Sequence, residues 1–269
     1  MKTAAHIETL DAQGRSLAEI AAAAGMDAEV ATCPGWRVRD LLRHTTMVHR
    51  WATAFVSEGH TSYHPDGGEP DLDGDALLAH YREGHTRLVA ALRQAPDTLE
   101  CWTFLPAPSP LAFWARRQAH ETTVHRADAA SALPGGAPGR MDPAVAADGI
   151  DELLRGFHAR DRSRVRTAEP RTLRVRATDT GDVWTVHLSP EPPRTDYSGA
   201  HPAGPGSTAG MAGTGVAAGP ARAADCELGG PADRLYLMLW NRLPHTAVSV
   251  TGDASLAELW RENSGITWS

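Results

Sequence analysis

Apolar side chains in the first half of the sequence recur at intervals of three and four residues, which is the spacing of an amphipathic helix. The pattern is clearest in residues 38–57, where the apolar positions are Val38, Leu41, Leu42, Val48, Ala52 and Phe55. Comparable stripes occupy residues 3–24, in spite of Gly14, and residues 77–92 and 111–131. Proline and glycine clusters separate the stripes. Four amphipathic helices in succession predict a helical bundle.

The second half of the sequence has a different pattern. A helix is predicted near residues 143–159, and residues 172–188 hold two β-prone runs around an Asp-Thr-Gly-Asp turn, which predicts a hairpin. The remaining predicted elements are a helix at 233–242, a strand at 247–251 and a helix at 255–261. We therefore expect a helical domain with a connecting helix at 1–165 and a smaller α+β domain at 166–269.

Two segments of the sequence are predicted to be loops. Residues 198–220 are rich in glycine, alanine and proline and contain few large apolar side chains. Such a segment cannot bury enough surface to order itself, so a mobile loop is predicted. A shorter loop, rich in glycine, proline and aspartate, is predicted at 59–74. Both loops would shape the access of a substrate to a site.

Composition and charge narrow the class of protein. The chain has 269 residues, of which 42% are hydrophobic, and its 26 basic and 33 acidic side chains give a formal net charge of -7. This acidic excess argues against a nucleic-acid partner, because phosphate backbones attract basic surfaces. The N-terminal segment lacks the apolar core of a signal peptide and no run approaches about eighteen apolar residues, so we expect a cytoplasmic protein without a membrane partner. Cys33, Cys101 and Cys226 are widely spaced and are predicted to be reduced thiols.

The helix predicted at 111–131 carries ionisable side chains on the face that should point into the bundle. At about 100° per residue, this face contains Gln118, Glu121, His125 and Asp128. Burying a carboxylate and an imidazole costs several kcal/mol unless they are paired or bind a metal. Glu121 and His125 are one turn apart and can hold one cation from a single helix. A metal site explains the pattern, and so does a buried Glu121–His125 hydrogen bond completed by Gln118 and Asp128.

A metal site would need a third ligand from another helix. The string HETTVH, which begins at His120, is not the H-E-x-x-H motif of zincins, because its histidines are five residues apart and diverge by about 140°. His120 is therefore expected to face away from the site. The second helix offers His44 and His49. His49 lies at the centre of the apolar face of that helix and His44 at its edge, so the pattern slightly favours His49.

Longer motifs point to a family. The motif CPGWRVRDLLRH runs from Cys33 to His44. Together with Glu121, His125 and Asp128 it resembles the mycothiol-dependent maleylpyruvate isomerase family, whose N-terminal domain is a DinB-like, metal-binding four-helix bundle. The second half is similar to the smaller α+β domain of that family in three motifs, which are GGPADRL at 229–235, LWNR at 239–242 and VTGD at 250–253. The resemblance covers nearly the whole chain.

The resemblance implies a metal-dependent enzyme. It implies His44, Glu121 and His125 as three metal ligands, with His44 in place of His49, and zinc or another divalent cation as the metal. Three protein ligands leave one coordination position open, as in catalytic zinc sites. In this family the position takes mycothiol, the low-molecular-weight thiol of actinobacteria, which the metal activates as a thiolate. The implied reaction adds that thiol to a small electrophile or transfers the thiol onto it, in an isomerase or an S-transferase.

Two further residues are candidates for catalysis. By resemblance, Arg242 would bind the carboxylate of an acidic substrate or of the thiol cofactor, and the alternative is a surface arginine at the end of a helix. Asp128 lies three residues after His125 and would orient a metal ligand, and the alternatives are a helix cap and a plain salt bridge.

Two other functions fit the same residues. One is a non-catalytic metal-binding regulatory or stress protein, in which a fourth protein ligand would close the metal site. The other is a hydrolase that uses a metal-bound hydroxide. The enzyme hypothesis implies a small electrophile and a low-molecular-weight thiol as partners, and it leaves the electrophile and the choice between monomer and homodimer open.

Overall fold

The computed structural model describes residues 1–65, 67–199 and 223–266. The mobile loop predicted at 198–220 lies outside the described residues except for its first two positions. The chain divides into two compact units, Met1–Arg140 and Met141–Ser269. This division differs from the predicted boundary at 165, because the helix that follows residue 141 packs against a later helix of the second unit.

The N-terminal unit contains the four predicted helices. They are α1 (Thr3–Ala24), α2 (Val38–Glu58), α3 (Gly74–Gln94) and α4 (Pro110–Ala130). The ends of the helices follow from local chemistry: the Ser109 hydroxyl accepts a hydrogen bond from the Ala112 amide, and Pro110 takes the first helical position. At the end of α2, Gly59 adopts the left-handed conformation with φ of 67°. The prediction of an N-terminal helical bundle is confirmed.

Helix α4 is the central element of this unit. Nearly every one of its residues is buried, so the helix has no solvent-exposed stripe of the usual kind. Helices α1 and α2 both pack along it. His120 faces α1, where its ring contacts that of His6 at a centroid distance of 5.9 Å. The opposite side of α4 is therefore free to carry Glu121 and His125 toward α2.

The C-terminal unit is an α+β domain, as predicted. Its helices are α5 (Pro143–Asp151), which continues into a π-helical turn (Glu152–Phe157), α6 (Ala232–Leu239) and α7 (Ser255–Asn263). Its strands are β1 (Arg171–Ala177), β2 (Val183–Leu188), β3 (Arg194–Ser198), β4 (Cys226–Gly230) and β5 (Ser249–Gly252). They form one sheet in the order β3-β2-β1-β4-β5. The predicted hairpin is the antiparallel β1–β2 pair, and β4, which was not predicted, pairs with β1 in parallel.

The two faces of the sheet differ in polarity. Leu173, Val175 and Trp184 point to one face and are fully buried. On the other face, Arg174 and Arg176 both pair with Glu227 of the neighbouring strand, at 3.6 and 2.6 Å. These two arginines of β1 thus share one carboxylate of β4. None of the helices in the described part of the chain has the length and apolarity needed to cross a bilayer.

The close packing of α1 against α3 yields a stability prediction at Gly14. A Cβ atom at this position would overlap the ring of His85, which is held in place by a 3.1 Å contact with the Leu10 carbonyl oxygen. We expect Gly14→Ala to destabilise the protein by about 1–3 kcal/mol, measured by urea unfolding, although alanine is the better helix former.

Gly84 in α3 is the matched control. It is also buried and helical, but a Cβ atom there would meet no atom within 4 Å. Gly84→Ala should therefore stabilise the protein by about 0.5–1 kcal/mol. Equal gains in the two variants would contradict the packing described for Gly14.

Candidate metal centre

Three side chains with metal-binding atoms converge between α2 and α4. His44 comes from α2, and Glu121 and His125 come from successive turns of α4. The Nε2 atoms of both histidines point at the same carboxylate oxygen, Oε1 of Glu121, at 3.4 Å from His44 and 3.1 Å from His125. One ligand atom from each of the three residues lies within 4.8 Å of the others. The structure thus brings together the three residues that the resemblance implied as metal ligands.

Opposite charges and hydrogen bonds keep this cluster ionised in spite of its burial. Burial alone would raise the pKa of Glu121, but the nearby charge of His125 and hydrogen bonds from His125 and His44 outweigh it, and the pKa stays well below 4.5. For His125, burial lowers the pKa, yet the Glu121 charge and the hydrogen bond to Asp128 raise it to about 9. Without a metal, the cluster therefore contains a carboxylate facing an imidazolium cation near neutral pH.

Arg117 holds the other oxygen of the Glu121 carboxylate. It lies one turn before Glu121 on α4, its side chain is only 1% exposed, and its Nη2 atom is 3.3 Å from Oε2. The Oε1 atom is thereby left to face the two histidines. Sequence reasoning missed Arg117, although its spacing of four residues from Glu121 is that of a helical ion pair.

Asp128 acts on the second nitrogen of His125. The Nδ1 atom of His125 donates a hydrogen bond of 2.9 Å to Oδ2 of Asp128, whose side chain is completely buried. This bond fixes the plane of the imidazole and directs Nε2 toward Glu121. Histidines that bind metals in proteins are commonly oriented by such a carboxylate.

Trp36 covers the two histidines from the segment between α1 and α2. Its ring centroid lies 5.2 Å from that of His44, and it stacks on His125 at 6.4 Å with an interplanar angle of 20°. Trp36 is only partly buried. It therefore forms an apolar wall beside the cluster, a role that its position in the sequence did not reveal.

His49, which the helical pattern slightly favoured, belongs to a different part of the bundle. It is fully buried, and its Nε2 atom is 2.9 Å from the hydroxyl oxygen of Thr122. Burial and the neighbouring His85 lower its pKa to about 3, so its ring is neutral. His49 thus packs with Tyr81 and His85 inside the bundle and is not one of the three clustered residues.

The alternative of a self-contained hydrogen-bond network meets an obstacle at Gln118. This side chain is buried on α4, but its Oε1 atom has no hydrogen-bond partner among the described residues. It therefore does not complete the network through that atom, whereas Asp128 does bond to His125. Two imidazole nitrogens and one carboxylate oxygen are a donor set that suits a divalent cation such as zinc, and neighbours hydrogen-bonded to His125 and Glu121 orient two of the three.

Arg242 lies in the C-terminal unit, just after α6. The preceding residue, Asn241, has a positive φ of 61°, and the Arg242 amide donates a 2.7 Å hydrogen bond to the Leu237 carbonyl oxygen. The Nη1 atom of Arg242 donates to the Trp240 carbonyl oxygen at 2.9 Å. The backbone that carries this arginine is therefore fixed by the helix end. The side chain is half-buried rather than fully exposed.

Comparison with known proteins identifies two family domains. The family model described as the mycothiol maleylpyruvate isomerase N-terminal domain matches residues 7–130, and the one described as the MDMPI C-terminal domain matches residues 144–259. A crystal structure of the mycothiol-dependent maleylpyruvate isomerase is similar with a TM-score of 0.59 and 11% identity, over 93% of each chain. A histidine-to-alanine mutant of that isomerase gives a TM-score of 0.60, with the same identity and coverage. At this identity the likeness concerns the fold, and no curated protein matches the sequence.

Burial and neighbouring charges predict opposite protonation states for two buried histidines of the bundle, His125 and His49. In protein stripped of metal, His125 should remain cationic until the pH approaches about 9, and His49 should remain neutral down to at least about pH 5. Histidine nitrogen shifts in an NMR titration measure both. The pKa of His125 is raised above its unfolded value of about 6.5. Its pairing therefore makes its full contribution to the stability of the metal-free fold below about pH 6.5, and this contribution is lost as the pH rises through about 9. A His125 ring that is neutral at pH 7 would contradict this description.

Proposed function

Because this chain belongs to the mycothiol-dependent maleylpyruvate isomerase family, we propose that it is a zinc-dependent enzyme that uses mycothiol, or a related low-molecular-weight thiol, to modify a small electrophile. The product is either an S-conjugate or a cis-trans isomer. The observation that carries the proposal is the convergence of His44, Glu121 and His125 on one point between two helices.

The residues of the cluster fit the metal by their chemistry. His44 and His125 would bind through Nε2 and Glu121 through Oε1, which are the atoms that already face one another. A bound divalent cation would lower the pKa of a coordinated thiol, so that the sulfur is a nucleophile near neutral pH. The three-residue set leaves a position for that sulfur.

The surrounding residues would keep these donors in place. Arg117 pairs with Oε2 of Glu121. Asp128 holds the proton on Nδ1 of His125, so that Nε2 is the ring nitrogen that would bind the metal. Trp36 restricts access of water on one side of the two imidazoles. We assign Asp128 a positioning role on this basis.

Arg242 is the proposed anion-binding residue. Its guanidinium can form two parallel hydrogen bonds to the carboxylate of an acidic electrophile. The fixed backbone at the end of α6 favours such a role, because a preorganised arginine loses less freedom when it binds.

The first prediction from this proposal concerns metal content. The protein purified with zinc should hold about one ion per chain. Almost no zinc should remain in each of three variants, His44→Gln, Glu121→Gln and His125→Gln, because the two remaining ligands bind a divalent cation weakly. Elemental analysis after gel filtration measures the content.

His49→Gln is the matched control for metal content. It changes a buried histidine of the same helix as His44, outside the cluster, and it should keep the zinc. Zinc lost from His49→Gln and kept by His44→Gln would show that the ligand from α2 had been assigned incorrectly.

The second prediction concerns the thiol. Cobalt(II) substituted for zinc should give an intense near-ultraviolet charge-transfer band when mycothiol is added, because a sulfur anion then becomes a ligand. When the intensity of the band is followed as the pH rises, the apparent pKa of the mycothiol thiol should lie well below the unperturbed value of about 8.5. Cobalt protein that binds mycothiol without any such band would exclude direct coordination and would favour a metal-hydroxide hydrolase or a regulatory protein.

Arg242 can be tested with an acidic electrophile in the thiol-dependent reaction of the zinc protein. If its guanidinium binds the carboxylate of an acidic electrophile, Arg242→Gln should raise the KM for that electrophile about tenfold, and Arg242→Lys should be intermediate. The mycothiol concentration that gives half of the cobalt band intensity should be unchanged in Arg242→Gln, and an unchanged KM for the electrophile would contradict the proposed role of Arg242.

A further inference from the structure

We propose that Thr32 is a positioning residue of the candidate metal centre: its hydroxyl holds the Asp128 carboxylate against His125 and fastens the segment that carries Trp36 to helix α4. The inference rests on the proposed function for its metal, but the hydrogen bonds that carry it are present in the protein itself.

The contact joins two segments that are far apart in sequence. The Thr32 hydroxyl donates a 2.6 Å hydrogen bond to Oδ1 of Asp128, 96 residues later. The other oxygen of the same carboxylate, Oδ2, accepts the 2.9 Å bond from Nδ1 of His125. Each oxygen of a completely buried carboxylate is thus engaged by a different segment. Rotation of the carboxylate would break both bonds, so Thr32 fixes the direction of the bond to His125.

A second contact ties the same segment to the end of α4. The Thr32 amide is 3.4 Å from the hydroxyl oxygen of Ser131, and the two hydroxyl oxygens are 3.2 Å apart. Ser131 in turn donates to the Asp128 carbonyl oxygen at 2.7 Å. Thr32 therefore meets α4 at its C-terminus through both its backbone and its side chain.

The attachment also determines where Trp36 lies. Between Thr32 and Trp36 the segment is a compact turn, in which the Cys33 amide donates to the Val30 carbonyl oxygen and the Trp36 amide to that of Cys33. Because the turn is compact, the position of Thr32 determines the position of Trp36. Fixing Thr32 on Asp128 thus holds the Trp36 ring over His44 and His125.

The test compares Thr32→Val, which keeps the shape and removes the hydroxyl, with Thr32→Ser, which keeps the hydroxyl. Cobalt(II) affinity is measured by competition with a chelator on otherwise intact protein. We expect Thr32→Val to bind cobalt about tenfold more weakly than the wild type, the usual cost of losing an outer hydrogen bond to a ligand, and Thr32→Ser to stay within about twofold.

Thr9→Val is the matched control. It removes another partly buried threonine hydroxyl of the same unit, one that bonds only locally to the Ala5 carbonyl oxygen in α1. Its cobalt affinity should equal that of the wild type. A loss in Thr9→Val as large as that in Thr32→Val would make the effect one of general stability and would overturn the proposal.

A second measurement does not need the metal. Amide hydrogen exchange of Cys33 and Trp36 in metal-free protein reports opening of the turn, and it should be faster in Thr32→Val than in Thr32→Ser. Unchanged exchange would overturn the proposal, because the backbone bonds of the turn would then hold it alone. Faster exchange with unchanged cobalt affinity would also overturn it, since the segment would not act on the ligands. A wild type that binds no cobalt would defeat the proposed function, and exchange alone would then decide for or against Thr32.

Discussion

A carboxylate inside a helical bundle is the constraint on which the rest of the N-terminal unit depends. Glu121 is almost completely buried, and an unpaired charge at such a position would cost more than most packing interactions return. The bundle meets this cost with three cations or hydrogen-bond donors, namely Arg117, His125 and His44. Removing the carboxylate would leave a buried guanidinium and a buried imidazolium without their common partner. The cluster is therefore a unit in which no member is independent of the others.

This constraint arises because α4 is enclosed by other helices and does not lie on the surface of the unit. A helix with a solvent-exposed stripe could turn its ionisable residues outward and avoid the cost, whereas α4 is buried along nearly its whole length and cannot. Its two sides serve different neighbours: His120 meets α1, and Glu121 with His125 meets α2. The preorganised geometry of the cluster is thus a result of bundle packing. Donors held this way need little rearrangement to bind a cation.

The elements that could be predicted from the sequence are those with a strong local period. All four bundle helices and the β1–β2 hairpin have such a period, and all were predicted. Strands β3 and β4 were missed, because Arg194–Ser198 follows a proline-rich stretch and Cys226–Gly230 ends in two glycines, so neither has an apolar alternation to detect. Strand β4 owes its place to its parallel pairing with β1, which is a long-range contact. The division of the chain near residue 141 depends in the same way on the packing of α5 against α6, which the local pattern does not contain.

The residues of the candidate site likewise fall into two groups, those that the local sequence predicts and those that depend on long-range contacts. Glu121 and His125 could be paired from their spacing alone, because both belong to one helix. The choice between His44 and His49 depends on how α2 is rotated against α4, and the apolar pattern favoured the residue that the bundle buries in its interior. Asp128 could be named from its distance to His125, but its second partner could not, since 96 residues separate it from Thr32. A network of this kind combines one helix, which sets the spacing of the donors, with distant segments, which set their directions. The spacing can be read from one segment of sequence, whereas the directions require the fold.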